Sequence, residues 1–207
     1  MSQIGIINSA LIKIGESPLS TNDGSRRAVF AFSQYDPQRQ VLLRAYPWNF
    51  ARKRATLATS LTPPAFGFSH AAELPNDCLQ FRGLFDVDEP DQNITTSRDP
   101  FAVEGNRLLV NQDAPRIFYT ADVTDTSLFD PTFSEALAWK LAMTIGYGLT
   151  TGPQVLQLAA AGFREAIREA RIANAMETQP EIIQASQWVD SHWGYRGRAR
   201  PGPIAGG

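Results

Sequence analysis

The chain is poor in the residues that usually carry chemistry. Its 207 residues include one cysteine, Cys78, and two histidines, His70 and His192. A lone cysteine excludes an internal disulfide and by itself points to no metal site. A zinc site or a Cys/His nucleophile pair is short of members for the same reason, and Cys78 with His70 is the one dyad left conceivable. There is no Gly-x-x-x-x-Gly-Lys phosphate loop and no Gly-x-Ser-x-Gly elbow. No run approaches the roughly 20 apolar residues of a membrane span. The opening Met-Ser-Gln-Ile-Gly-Ile-Ile-Asn has no charged leader before a long apolar segment, so it predicts no secretory signal. With the cysteine usage, that predicts folding in a reducing compartment, a cytoplasm.

Two stretches imitate sites without matching them. Gly146-Tyr147-Gly148-Leu149-Thr150-Thr151-Gly152 is glycine-rich. It follows a predicted helix, whereas a phosphate fingerprint follows a strand and opens a helix. The carbonyls at a helix C-terminus repel phosphate, so the run reads as a stop between two helices. Asp86, Asp88, Glu89 and Asp91 lack EF-hand spacing and read as a solvated acidic turn.

Apolar residues are plentiful, at 43% of the chain, enough for a sizeable core. Charge is unevenly spread. Residues 1–60 carry eight Lys/Arg against three Asp/Glu, residues 61–130 four against twelve, and residues 131–207 seven against six. An acidic middle between a basic and a near-neutral segment suits oriented contacts, including contacts with further copies, or a solvated acidic face. It disfavours a simple DNA-binding domain, because the acidic block would repel phosphate.

Residues 2–14 predict a helix. Ile4, Ile7, Leu11 and Ile14 form its stripe, Ser2 its N-cap and Gly15 its stop. After a turn-rich stretch a second helix is predicted from Asp23 or Ser25 to about Tyr46, with Ala28, Phe32, Tyr35, Leu42 and Ala45 inward. Asp36-Pro37 predicts either a kink or two helices in near-continuous line, the kink preferred. At Tyr46-Pro47-Trp48-Asn49-Phe50-Ala51-Arg52-Lys53-Arg54 the texture changes. Pro47 ends the helix. The three aromatics read as a hinge anchor or as a partner-contact edge with a basic rim.

Beyond the hinge, strand and turn signals alternate. Ala51–Ala58 reads as a strand closed by Pro63-Pro64, and Phe66, Phe68, Leu74, Leu79, Phe81, Leu84, Phe85 and Val87 punctuate further strands. Phe101–Val110 reads as a hairpin turning at Gly105-Asn106, and Pro115–Val123 as a final strand. Five or six antiparallel strands are expected, the connections being too short for crossover helices. Asp130-Pro131 then restarts helix. One very apolar helix is predicted from Thr132 to about Leu149, ended by Gly146, Gly148 and Gly152. Another is predicted from Pro153 to about Glu177, with Leu156, Ala159, Ala160, Phe163, Ile167, Ala170 and Ala173 inward. A short helix is predicted over Glu181–Trp188. The Gly/Pro-rich, basic end that follows reads as a disordered tail or as an arm that orders on a partner.

Two stretches together resemble a known family. The first is Ala10-Leu11-Ile12-Lys13-Ile14-Gly15-Glu16-Ser17-Pro18-Leu19-Ser20-Thr21, followed by a long helix and Trp48-Asn49-Phe50-Ala51. The second is Phe129-Asp130-Pro131-Thr132-Phe133-Ser134-Glu135-Ala136-Leu137-Ala138-Trp139-Lys140-Leu141-Ala142, followed by an Ala-rich helix. In this order they resemble the tail tubular protein A family, the head-to-tail adaptors of short-tailed phages, over most of residues 3–177.

The resemblance implies an α+β fold, an antiparallel helical bundle (1–50 and 128–180) with an inserted antiparallel β-rich domain (51–127), to which the composition of residues 181–207 adds an extended C-terminal arm. It implies a structural virion protein of the tail, assembled in the host cytoplasm and not an enzyme. A ring of copies, twelve in the family, would sit between portal protein and tail nozzle protein, closing the head and lining the channel for genomic DNA. No cofactor, metal, membrane or sequence-specific DNA contact is implied. The candidate partner or subunit contacts are Arg52, Lys53, Arg54, Trp188, Trp193, Tyr195, Arg196, Arg198 and Arg200. Two rival readings are a tail-associated peptidoglycan hydrolase, for which Glu73 and Asp77 are the available carboxylates, and a nucleic-acid-binding module using Arg52-Lys53-Arg54 and the arginine-rich arm.

Overall fold

The computed structural model describes residues 1–20, 23–85, 99–149 and 152–177. Among them the chain is α+β, with four helices and two antiparallel three-stranded sheets. The helices are α1 (Gln3–Lys13), α2 (Arg26–Ala45), α3 (Pro131–Gly148) and α4 (Pro153–Met176). The strands are β1 (Arg52–Thr56), β2 (His70–Glu73), β3 (Cys78–Leu84), β4 (Ala102–Glu104), β5 (Arg107–Val110) and β6 (Arg116–Ala121).

Local signals set the helix ends. The Ser2 hydroxyl accepts from the Gly5 N–H and the Ser25 hydroxyl from the Ala28 N–H, so each satisfies one orphan donor of its helix. Asp130 caps α3 by accepting from the backbone N–H groups of Thr132 (2.7 Å) and Phe133 (3.4 Å), with Pro131 in the first turn. Past α1, Gly15 has φ +81°, a left-handed value that other residues adopt at a cost. The turn beyond is fixed by Asn8. Its amide donates to the Leu19 carbonyl (3.0 Å) and accepts from the Leu19 N–H (2.8 Å), and Leu19 is buried.

One apolar core is built from all four helices, and α3 is the element they share. α1 and α2 pack on it, and so does α4. This explains its composition, since a helix covered by three others is apolar on most sides. α1 buries Ile6, Ile7, Ala10 and Leu11, so Ile6 takes the place predicted for Ile4, which is only half-buried. α2 is one helix running through Pro37, which removes the two-helix alternative. Its inward face also differs from expectation: Ala31, Arg39 and Leu43 are buried, while Phe32 and Ala45 are exposed. α4 turns inward largely as predicted, through Ala159, Ala166 and Ala170 with Phe163 and Ile167 half-buried.

α3 ends within the predicted glycine run, with Leu149 as its C-cap. Gly146 is buried inside the helix and Gly148 is its last residue. A Cβ on Gly148 would lie 2.2 Å from the Phe30 ring, and one on Gly162 of α4 would lie 2.7 Å from the Trp139 ring. These glycines let an aromatic ring rest against a helix backbone, a requirement that depends on the neighbour and not on the local sequence.

The strands form sheets of order β1-β6-β3 and β2-β5-β4, all pairs antiparallel. The β4–β5 hairpin turns at Gly105-Asn106 as predicted. Leu84 and Phe81 of β3, Ile117 and Tyr119 of β6, and Leu108 and Val110 of β5 belong to one second core, so the two sheets bury apolar side chains in common. Phe66 and Phe68 lie in the loop between β1 and β2 and not in a strand. After the isolated Thr59–Ala72 bridge, Pro63 and Pro64 lack backbone N–H donors and the loop leaves the ladder. The predictions for Val87, the 86–91 acidic turn, residues 150–151 and everything from 178 onward lie outside the described residues.

Polar contacts join the helices to the sheets. The Arg82 guanidinium of β3 donates to the Thr120 hydroxyl (2.8 Å) and to the Arg44 carbonyl (2.9 Å), one of the orphan acceptors at the end of α2. Arg39, buried in α2, donates through Nη1 to Asp122 and to the Val123 carbonyl (2.6 Å), and through Nε to Asp36 (3.1 Å). Burial alone would lower the Arg39 pKa, but the Asp122 and Asp36 carboxylates outweigh it and hold it above the ordinary value.

Tyr35, one turn before Arg39, is 2% exposed, and its hydroxyl has no hydrogen-bond partner among the described residues. A buried hydroxyl without a partner costs about 1–3 kcal/mol. Tyr35→Phe is therefore expected to stabilise the protein by about 1 kcal/mol at neutral pH, read as a higher urea midpoint at unchanged slope. Burial also pushes the Tyr35 pKa up to about 12. A folded-state value above the unfolded one means that this contribution is full below the ordinary value of 10.0 and is lost as pH rises from there toward 12. Tyr35→Phe should accordingly flatten the alkaline fall in stability over that window. A variant less stable than the parent would contradict the orphan hydroxyl.

Candidate functional site

The hinge and the strand that follows it hold the described part of the predicted contact set. Pro47 breaks α2, and a 3-10 turn, Asn49–Ala51, leads into β1. Trp48 is 1% exposed and its indole N–H donates to the Leu42 carbonyl (2.9 Å), another orphan acceptor of α2. Its ring meets Tyr46 at 5.2 Å and Phe133 at 5.0 Å, both edge-on. Phe50 and Phe129 complete the cluster around Phe133, at 4.9 and 5.1 Å. Edge-to-face pairs at these separations contribute about 0.5–1.5 kcal/mol each beyond their buried area. The aromatics predicted as anchor or contact edge are thus turned inward as an anchor, fastening the end of α2 to the start of α3.

A second fastening joins the hinge to the end of α4. The Asn49 N–H donates to the Asn174 side-chain oxygen (2.7 Å), and the Asn49 amide donates to the Asn174 carbonyl (2.8 Å). The Asn174 amide in turn reaches the Pro47 carbonyl (3.3 Å). Sequence reasoning did not single out Asn174. The only available signal is a side-chain amide in the last two turns of an otherwise Ala- and Arg-rich helix.

β1 separates the basic triplet by strand alternation. Arg52 lies over the Phe118 ring and Arg54 over the Phe85 ring, each 4.9 Å from the centroid, and those two rings touch each other. Lys53, between them, pairs with Asp77 at 2.7 Å. The structure therefore brings Arg52 and Arg54 together above an aromatic pair and sets Lys53 apart. Trp188, Trp193, Tyr195, Arg196, Arg198 and Arg200 lie outside the described residues.

The residues weighed for chemistry are dispersed. His70 is in β2 and Cys78 in β3, strands of different sheets. Burial pushes the Cys78 thiol above its ordinary pKa, which keeps it protonated at neutral pH. Burial also opposes ionisation of Asp77, but hydrogen bonds from Lys53 and from the Tyr119 hydroxyl (3.0 Å) outweigh it and lower its pKa. Asp77 thus acts as a strut between β1, β3 and β6. Glu73 stands opposite Arg107 in the β2–β5 ladder. Among the described residues no group of three or more His, Cys, Asp or Glu gathers to hold a metal ion, and no helix is long and apolar enough to cross a membrane.

The loop between β1 and β2 is of a different character. Residues 57–69 carry no charge, and Leu61 and Phe66 are 102% and 88% exposed. Pro63 and Pro64, between them in the chain, stiffen the loop that carries both. Sequence reasoning placed Phe66 in a strand and missed this surface. The charge-free run around Pro63-Pro64 was the signal for it.

The sequence matches no protein-family model and no curated protein.

Proposed function

We propose that the chain is a structural virion protein, a head-to-tail adaptor of the kind its resemblance implies. Copies assemble as a ring, of twelve by that resemblance, between the capsid portal and the tail nozzle, close the filled head and line the DNA channel. On this reading the four helices are a bundle, residues 51–127 are its β-rich insertion, and the segment after 180 is an arm that reaches the portal or the next copy. The separate helical and β cores support that division.

The observation that carries the reading is the use made of the most specific matching run. Gly15 supplies the left-handed turn, Leu19 is buried and clamped on both sides by Asn8, and Glu16 pairs with Arg27 of α2 at 3.0 Å. Trp48-Asn49-Phe50-Ala51, which closes the first matching stretch, is likewise the joint between α2, α3 and α4. The exposed Leu61 and Phe66 supply a surface that a partner would cover.

A ring of this kind needs two different surfaces on each copy, meeting by a rotation that closes. The test is the mass of the purified particle, alone and mixed with the cognate portal ring. The expected result is a ring-sized complex on the portal, and Leu61→Ser with Phe66→Ser should weaken it without lowering thermal stability. A chain that stays monomeric beside the portal would overturn the proposal.

A further inference from the structure

The two sheets each turn one face to their shared core and one face away from it. In the sheet β1-β6-β3 the core side holds Phe81, Ile117, Tyr119 and Ala121, with Ala55 packed on them. Arg52, Arg54 and Thr56 of β1 stand opposite Thr120, Phe118 and Arg116 of β6. Cross-strand partners share a face, and positions alternate between faces along a strand, so these six residues form the outer surface. Arg82 of β3 joins it through its bond to the Thr120 hydroxyl. None of the three strands contains an acidic residue.

The sheet β2-β5-β4 has the opposite sign. Ala72, Leu108 and Val110 turn to the core, so Glu73, Arg107 and Glu104, aligned across the three strands, turn outward. Glu73, Glu104 and the flanking Asp99 and Asp113 are all exposed, and Arg107 is the one cation between residues 99 and 113. One β unit therefore carries a basic surface on one sheet and an acidic surface on the other. Like charge is crowded on the first: burial and the Arg44 charge hold the Arg82 pKa below its ordinary value. Arg82 also bonds the Arg44 carbonyl at the end of α2, and at the end of the face away from it Arg54 and Arg116 are exposed.

We propose that the basic face of one copy meets the acidic face of the next. This contact rests on the adaptor reading, and it is the join between neighbouring copies. Two unlike surfaces on one chain make a heterologous contact, the kind that closes into a ring when the rotation allows. Charge complementarity sets which faces meet and in which direction, more than how tightly. A second copy is favoured over nucleic acid as the occupant, because the chain supplies both halves of the complement and the acidic face repels phosphate.

The experiment is sedimentation of the full chain with the cognate portal ring, at low and high salt. Two charge-reversed chains are compared with the parent, Arg54→Glu with Arg116→Glu and Glu73→Lys with Glu104→Lys. Each by itself should assemble about a hundredfold more weakly, since like charges then face each other. An equimolar mixture of the two should restore assembly, because every contact in an alternating array joins opposite signs again. Assembly of the parent should also weaken as salt rises. Thermal melts check that each chain is folded, and Arg54→Gln with Arg116→Gln, which adds no charge, should weaken assembly by about tenfold. A ring on the portal that forms unchanged from either reversed chain, or a mixture that does not recover, overturns the inference and leaves the adaptor reading standing. A parent chain that stays monomeric beside the portal overturns both. Retention of double-stranded DNA that Arg54→Glu with Arg116→Glu abolishes while assembly is unchanged assigns the basic face to nucleic acid and also overturns it.

Discussion

Arg39→Ala is expected to destabilise the protein by about 3 kcal/mol, the lower part of the range for breaking a buried ion pair. Arg39 is 2% exposed and is the only buried cation among the described residues. It spans two sequence-distant regions: Asp36 lies on its own helix, and Asp122 and Val123 lie just past β6. Truncation leaves the Val123 carbonyl without that donor and the Asp122 carboxylate with Gln40 as its remaining partner (2.8 Å). The Asp122 side chain keeps 23% exposure, so water relieves part of the loss, which places the effect at the low end of the range. Arg39→Met tests the cause. It fills the space without a charge and should recover part of the lost stability, since apolar replacement of a buried ion pair is often tolerated. A double-mutant cycle with Asp122→Ala should give a coupling of about 1–3 kcal/mol. Additive losses would show that the Arg39–Asp122 contact does not join α2 to the sheet. Urea unfolding at neutral pH is the measurement, with the change in the midpoint and not in the slope.

Trp48→Ala should cost about 3–5 kcal/mol, the largest single loss expected of this chain. Three losses coincide. The indole is fully buried among Tyr46, Phe50 and Phe133, so truncation opens a cavity that those rings, held by their own contacts, fill only in part. The Leu42 carbonyl loses its donor. The existing hollow beside Trp48 also merges with the new one. Trp48→Phe separates the terms. It keeps an aromatic face and loses the N–H, and should cost about 1–2 kcal/mol. Against a total stability of about 5–15 kcal/mol for a domain, the alanine variant loses a large share. A loss below about 1 kcal/mol would show that the aromatic cluster is not what holds the hinge.

Much of the element order was legible because it is written in short-range chemistry. Ser2, Ser25 and Asp130 mark helix starts, Pro47 marks an end, and Gly105-Asn106 marks a hairpin. Each acts through backbone dihedrals or a hydrogen bond within three residues. The antiparallel pairing of the strands followed from short connections. The faces were less legible. A stripe of apolar residues at helical spacing leaves the width and centre of the buried arc open. Hence Ile6 was passed over for Ile4, and Phe32 and Ala45 were placed inward where Arg39 and Leu43 lie.

The basic triplet shows the same limit for the candidate site. Three adjacent charges read as a rim. Strand alternation puts Arg52 and Arg54 over Phe118 and Phe85 and gives Lys53 to Asp77, partners supplied by β6, by the end of the β3 segment and by the turn before β3. Glycine was misread for a similar cause. Gly146, expected to help end α3, is buried inside it, and Gly148 makes room for the Phe30 ring of α2.

By itself the sequence determined roughly where the helices begin and end, that the chain is α+β, and that Tyr46–Arg54 divides the first helices from the strands. Those features depend on groups a few residues apart. Only the tertiary structure decided that α3 is the shared helix, that Lys13 meets Glu135, that Asn174 clamps Asn49, and that Trp48 packs on Phe133. These contacts bring together residues far apart in the chain. Their identity depends on which surfaces meet when apolar faces are withdrawn from water, and no local spacing encodes it.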